Sequence, residues 1–255
     1  DSFVTDISGS SLSSRYSYGL KDLPSSASKF VKEDMDALNA TFIPATDEND
    51  VIPNVRATNF PYTYLLPDIG RDILDSATFD VDMIRISDGH VKSFIHKLHK
   101  VVRNAGLDIG TEESKTDSLV NHLLCRTIDF DNWPLDVELK ESYKLSVSDI
   151  NVRAVTEFAI EKKNVAMTIV EDKHLKNVKA MTDFGEAQML AEILAAEISK
   201  AYLQELCRGL PKTQSVVIRR WPGQNGLRSG FDLAQPDGRQ AVLTALTKIH
   251  QFLLQ

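Results

Sequence analysis

Apolar residues recur at three- and four-residue spacing in several stretches of the chain and alternate with polar ones in others, which separates helices from strands. After Asp88-Gly89, Val91, Ile95, Leu98, Val102 and Ala105 keep a helical period until Asn104-Ala105-Gly106 ends it. A second helix is predicted from about Thr111 to Ile128, with Val120, Leu123, Leu124 and Ile128 on its buried side and Glu112 and Glu113 in its first turn, where the helix dipole favours carboxylates. Tyr143, Leu145 and Val147 alternate with Lys144, Ser146 and Ser148 and predict a strand. The stretch Val155 to Lys179 then reads as a hairpin, its second strand the apolar run Val165 to Val170, ending in Glu171, Asp172 and Lys173. Gly185 to Cys207 is helical by composition, Ser215 to Trp221 is a strand ending in Arg219 and Arg220, and Pro236 opens a last helix striped by Val242, Leu246, Ile249 and Leu253. In the helix after Gly185 the stripe of Leu190, Ile193 and Leu194 loses phase at Glu197. This predicts a discontinuity between Ala195 and Ser199, a missing segment that carries a core strand.

The remaining segments carry less pattern. Residues 1 to about 30 are rich in Ser and read as an extended arm that can pack at Phe3 and Tyr16, Val31 to Leu38 as a short helix, and Asn39 to Pro67 as irregular. The expected organisation is an arm with irregular and helical segments over residues 1–85 and a folded domain over residues 86–255. The fold class is α/β, a mixed central sheet flanked by helices. Of the 255 residues 42% are hydrophobic and 25% charged, an ordinary globular balance that can bury a sizeable core. A net charge of -7 excludes a protein that coats nucleic acid by bulk charge, but not one that grips it through a local basic strip. The two cysteines, Cys125 and Cys207, lie in apolar helical patterns and read as reduced core thiols of an intracellular protein, cytoplasmic or nuclear. No run is long enough to span a membrane, and with Asp1 at the start and no signal-peptide pattern the chain reads as a fragment or processed form.

Candidate chemistry sits on the hairpin. Two carboxylates and an ammonium at the end of an apolar strand are costly to desolvate unless they pair or hold a metal. Glu171 and Lys173 share a strand face, and Glu157 lies on the preceding strand. With an odd turn, Lys162 to Asn164, Glu157 lies opposite Ile169 and diagonal to Glu171, close enough for one divalent ion. A two-residue turn would place it opposite Thr168 on the other face. Carboxylate oxygens suit Mg²⁺ or Mn²⁺, and a lysine can orient the attacking water or stabilise charge building on phosphate oxygens. Gln188 and Glu192, four apart on a helix, can point at one feature. His96 and His99 lack partners at zinc-like spacing and read, with Lys97, Lys100 and Arg103, as a solvated basic face, a candidate for phosphate contacts if the chain binds nucleic acid.

The succession of a helix with Glu113, a strand, Glu157, Glu171-x-Lys173 and a helix with Gln188 resembles the PD-(D/E)XK nuclease superfamily over roughly Thr111 to Ala195. Within it, EESKTDSLVNHLL, EFAIEKKNVAMTIVEDKHLKN and GEAQMLAEILAA are similar to the nuclease-type C-terminal domains of fungal and oomycete Crinkler-type effectors. The resemblance implies a restriction-endonuclease-like fold, metal ligands Glu113, Glu157 and Glu171, the catalytic lysine Lys173, and Gln188 as a helical polar supporter. Two features depart from it. Thr156-Glu157 stands where the family has Pro-Asp, and no strand directly follows the helix carrying Gln188.

The expected activity is Mg²⁺- or Mn²⁺-dependent hydrolysis of phosphodiester bonds, of DNA ahead of RNA. Lys176, Lys179, Arg219 and Arg220 are the expected phosphate contacts, each following or ending an apolar strand. Pairing of two copies to cut both strands is open, and an effector would act in a host nucleus. The alternatives are a nuclease-derived module that binds nucleic acid or a partner protein without cutting, and a structural interaction domain of a larger assembly.

Overall fold

The computed structural model describes residues 19–105, 113–147, 149–170, 185–196, 215–222 and 230–255. Phe3, Tyr16, Glu171, Lys173, Lys176, Lys179 and Cys207 lie outside them, as does most of the span expected to hold the discontinuity. The architecture is mixed α/β.

The long helices form where the period places them. Helix α3 (Gly89–Ala105) begins at Asp88, whose Oδ1 accepts the backbone N–H groups of His90 and Val91 at 2.7 and 3.2 Å. It buries Val91, Phe94, Ile95, Leu98 and Val102. Two short helices, α1 (Lys32–Ala37) and α2 (Arg71–Leu74), precede it. Helix α4 (Glu113–His122) continues without a break into a π-helical turn, Leu123–Ile128, which Asp129 ends in the left-handed conformation. Helix α5 (Glu186–Ala196) is described as far as Ala196. The last helix, α6 (Pro236–Leu253), has Pro236 in its first turn. Gly238, one turn in, sits so close to the backbone of Asp232 that a Cβ there would meet its carbonyl oxygen at 2.1 Å. The deepest row of α6 is Arg239, Leu243 and Thr247, with Val242, Leu246 and Ile249 only partly buried beside it.

Seven strands are described. β1 (Ala40–Pro44) lies parallel to β7 (Val216–Arg220), Ala40 opposite Val216. The alternation in LDVEL forms β2 (Leu135–Leu139), and β3 (Ser142–Val147) follows it. β4 (Ile150–Val155) pairs with β3, and β5 (Phe158–Lys162) lies between β2 and β6 (Val165–Val170). Although the sheet breaks between these pairs, β2–β3 and β4–β5 form one long bent hairpin. Leu139 faces Phe158, Ser142 faces Val155, and the register is carried across the gap by Lys140 N–H donating to the Glu157 carbonyl (3.1 Å) and Thr156 N–H to that of Glu141 (3.0 Å). Lys140 takes φ +57 at the bend.

The β5–β6 turn differs from both expected registers. It is a two-residue turn, Lys163-Asn164, with φ of +52 and +65 at the two positions, the backbone whose twist suits a tight hairpin. A bulge then leaves Met167 unpaired, so that Ile160 faces Thr168, Ala159 faces Ile169 and Phe158 faces Val170. Glu157 is therefore opposite neither Ile169 nor Thr168. The run Ala166 to Val170 also buries less than its apolarity suggests. In the described sheet β6 is an edge strand, and Met167 is 46% exposed on it.

Among the described residues two apolar cores result, and the bent hairpin joins them. One gathers α3, α4 and its π-turn, β2, β5, α6 and the loops around Tyr64 and Ile69. The other gathers Leu23, Ala27, Phe30, Met35 and Leu38 with β3, β4 and α5. The described part of residues 1–85 packs into both cores, and Arg153 N–H of β4 donates to the Ser25 carbonyl at 2.9 Å. The polar side of α3 is less solvated than its composition suggests. His99 Nδ1 meets the Leu74 carbonyl at 2.6 Å, Arg103 donates to the Asp75 carbonyl at 2.8 Å, and Lys97 reaches Ser118 of α4, leaving His96 and Lys100 exposed. Among the described residues no helix is long and apolar enough to cross a membrane.

Candidate active site at the bend of the hairpin

The bend between the cores brings together a helix and both arms of the hairpin. Thr156, fully buried, and Glu157 carry the chain from β4 into β5, while Lys140 and Glu141 carry it from β2 into β3. Continuation of the ladder through these residues sets Lys140 opposite Glu157, and their side chains form an ion pair. Asp117 of α4 approaches the same ammonium, Oδ2 to Nζ, at 3.9 Å. The Glu157 side chain is 19% exposed, that of Asp117 32% and that of Lys140 56%. Asp117 Oδ1 is buried with no hydrogen-bond partner among the described residues, a costly state for a carboxylate oxygen.

Glu113 stands one turn before Asp117 on α4, in the first turn of the helix and exposed. Glu113 is the α4 carboxylate expected from the sequence, whereas Asp117 and Lys140 are the residues found at the bend. The four-residue step from Glu113 to Asp117 was the signal for the former. For Lys140 there was none, because its place depends on a left-handed bend that Leu-Lys-Glu does not announce.

Gln188 and Glu192 of α5 do converge. Gln188 Nε2 donates to Glu192 Oε1 at 2.6 Å, and Glu192 is fully buried where α5 packs across β3 and β4. Of the four expected phosphate contacts, two are described. Arg220 is held by Glu186 at the start of α5, Nη1 to Oε1 and Oε2 at 2.7 and 3.0 Å, in a half-buried pair that fastens β7 to that helix. Arg219 is 51% exposed and lies 3.5 Å from Asp50, a contact that solvent weakens. Cys125 is a thiol whose pKa burial pushes up to about 11, which suits an inert residue.

Among the described residues no group of three His, Cys, Asp or Glu side chains is placed to hold a metal ion. Asp117 and Glu157 supply two hard oxygen donors at one place, one of them with an orphaned buried oxygen, and that donor set suits Mg²⁺ or Mn²⁺. No protein-family model, curated protein or solved structure matches the chain.

Proposed function

We propose that the protein is a metal-dependent nuclease of the PD-(D/E)XK type that hydrolyses phosphodiester bonds of DNA or RNA. The observation that carries the reading is the meeting of Asp117 and Glu157 at the bend of the hairpin. The order of elements supports it: α4, the strand β2–β3, the strand β4–β5, β6, then α5 with Gln188. Phe158 and Val170, the sequence neighbours of Glu157 and Glu171, are cross-strand partners. In this reading Glu157, Glu171 and a carboxylate of α4, Asp117 or Glu113, hold the ion. A divalent ion supplies a Lewis acid to the scissile phosphate and to the attacking water. Lys173 orients that water and offsets the negative charge that builds on the phosphate oxygens. The new P–O bond forms from the water as the bond to the leaving sugar oxygen breaks, and that oxygen takes up a proton.

A cleavage assay on labelled single- and double-stranded DNA and RNA tests this. Cutting is expected in Mg²⁺ or Mn²⁺, to stop in EDTA and to be lost in Glu157→Gln. Cutting that persists in EDTA, or equally fast cutting by the variant, contradicts it. One observation favours the second reading, a module that binds without cutting. The Lys140 ammonium already neutralises Glu157 and stands where the two carboxylates converge, so it competes with an ion for them. Binding of nucleic acid with no cutting in either metal is the result that reading predicts.

A further inference from the structure

The adjacent flank of α4 carries a cleft of different chemistry. Helices α3 and α4 enclose about 480 Å³ between them, and every described lining residue is basic or hydroxyl-bearing. Lys97 and Lys100 enter from α3 with His96 beside them, and Lys115, Ser114 and Ser118 enter from α4. The cleft is built rather than incidental to loose surface chains. Lys97 Nζ donates to the Ser118 hydroxyl at 2.6 Å and its carbonyl at 3.1 Å, which fixes one ammonium on the wall, and Lys115 Nζ lies 3.5 Å from Asn104 Oδ1 at the end of α3. Lys100 is exposed at the cleft with no carboxylate among the described lining residues. Partial desolvation and, after it, the neighbouring Lys100 and His99 lower the pKa of His96, with Asp82 opposing the shift.

We infer that this cleft binds a phosphate of a nucleic-acid strand, held by Lys97, Lys100 and Lys115 with the serine hydroxyls as further donors. Ammonium groups and hydroxyls are the donors that phosphate oxygens take from proteins. The source is a strand rather than a free phosphate because the cleft is open and because of its place on α4. Ser114 and Ser118 follow Glu113 and Asp117 by one residue each, which turns them about 100° around the helix axis. A strand laid across the first turns of α4 can therefore present one phosphate to the carboxylate side and another to the cleft. The inference rests on the proposed function for its ligand, but not on catalysis.

The test is fluorescence anisotropy of a short labelled single-stranded DNA in EDTA, across a salt series, with wild-type protein, the double variant Lys100→Gln/Lys115→Gln, and Lys100→Glu as a single exposed change. Loss of two phosphate contacts is expected to reduce the salt slope by about 1.4, which corresponds to roughly 25-fold weaker binding near 0.1 M salt. Lys100→Glu is expected to weaken binding in the same direction. Unchanged affinity and slope in both variants, with unchanged melting, overturn the inference, as does failure of wild-type protein to bind the strand. A titration of the same proteins with inorganic phosphate separates the sources. Phosphate binding that the double variant loses, without strand binding, removes the nucleic acid from the assignment. Because EDTA prevents cutting, strand binding lost in the variants but no cutting by wild type in Mn²⁺ leaves the cleft standing and removes the nuclease. Cutting by wild type with variant affinity unchanged does the reverse.

Discussion

Replacing Arg239 with methionine is expected to destabilise the protein by about 3 kcal/mol or more and to lower its melting temperature by roughly 10 °C. Arg239 is fully buried on α6, and its guanidinium donates to the backbone carbonyls of Leu65, Leu66, Ile69, Leu233 and Ala234 at 2.5–3.4 Å. These carbonyls belong to two loops that run beside the helix. The arginine therefore does for this region what a ladder of backbone bonds does for a sheet. Methionine keeps much of the volume but leaves those acceptors without that donor, and each buried acceptor so stranded costs about 1–3 kcal/mol before relaxation. Burial lowers the guanidinium pKa to about 10, with Asp232 opposing the shift, so the group remains charged at neutral pH. Asp232 itself is engaged by Arg71, through Nε and Nη2 at 2.9 and 2.7 Å. A thermal or urea melt decides the matter. A midpoint within a degree or two of wild type would mean that water replaces the arginine at little cost.

Lys173→Ala is expected to reduce cutting by about 10²–10³-fold, the usual loss when one donor to a developing oxyanion is removed. Single-turnover cleavage in saturating Mn²⁺ reads the chemical step directly. In the proposed reading the metal is held by carboxylates, so ion affinity and melting temperature are expected to stay where they are in the wild type. This separates a catalytic lysine from an ion-pair lysine, whose loss would change ion affinity or stability as well. Cutting at the wild-type rate would remove Lys173 from the mechanism.

What the sequence conveyed depended on whether neighbours along the chain or distant partners decide the structure. Helices α3, α4 and α6 follow from local periodicity and start signals, and their described residues fall within the stretches predicted after Asp88, from about Thr111 and from Pro236. β1 was not legible, because ATFIP is short, ends in proline and has its partner near the other end of the chain. β2 was legible and missed. Leu135, Val137 and Leu139 alternate with Asp136 and Glu138, and the charged residues that follow hide its continuity with β3. Arg239 reads as polar surface by residue type, yet it lies three before Val242 and four before Leu243, in phase with the stripe of α6. The hairpin was recognised, but its register was set by two features without a sequence signature, the Lys163-Asn164 turn and the bulge at Met167. At the site, Glu157 was picked out by sequence order. Asp117 and Lys140 come to it only through the bend of the hairpin against α4.

A crystal structure of the protein grown in Mn²⁺, with anomalous diffraction recorded at the metal edge, shows whether that convergence holds an ion. An anomalous peak is expected, coordinated by Glu157 and Glu171, with an α4 carboxylate, Asp117 or Glu113, in its shell and the Lys140 ammonium moved off Glu157. A fully occupied Lys140–Glu157 pair with no peak beside it, at Mn²⁺ concentrations that fill other sites, would contradict it and leave the bend a structural ion pair between two cores.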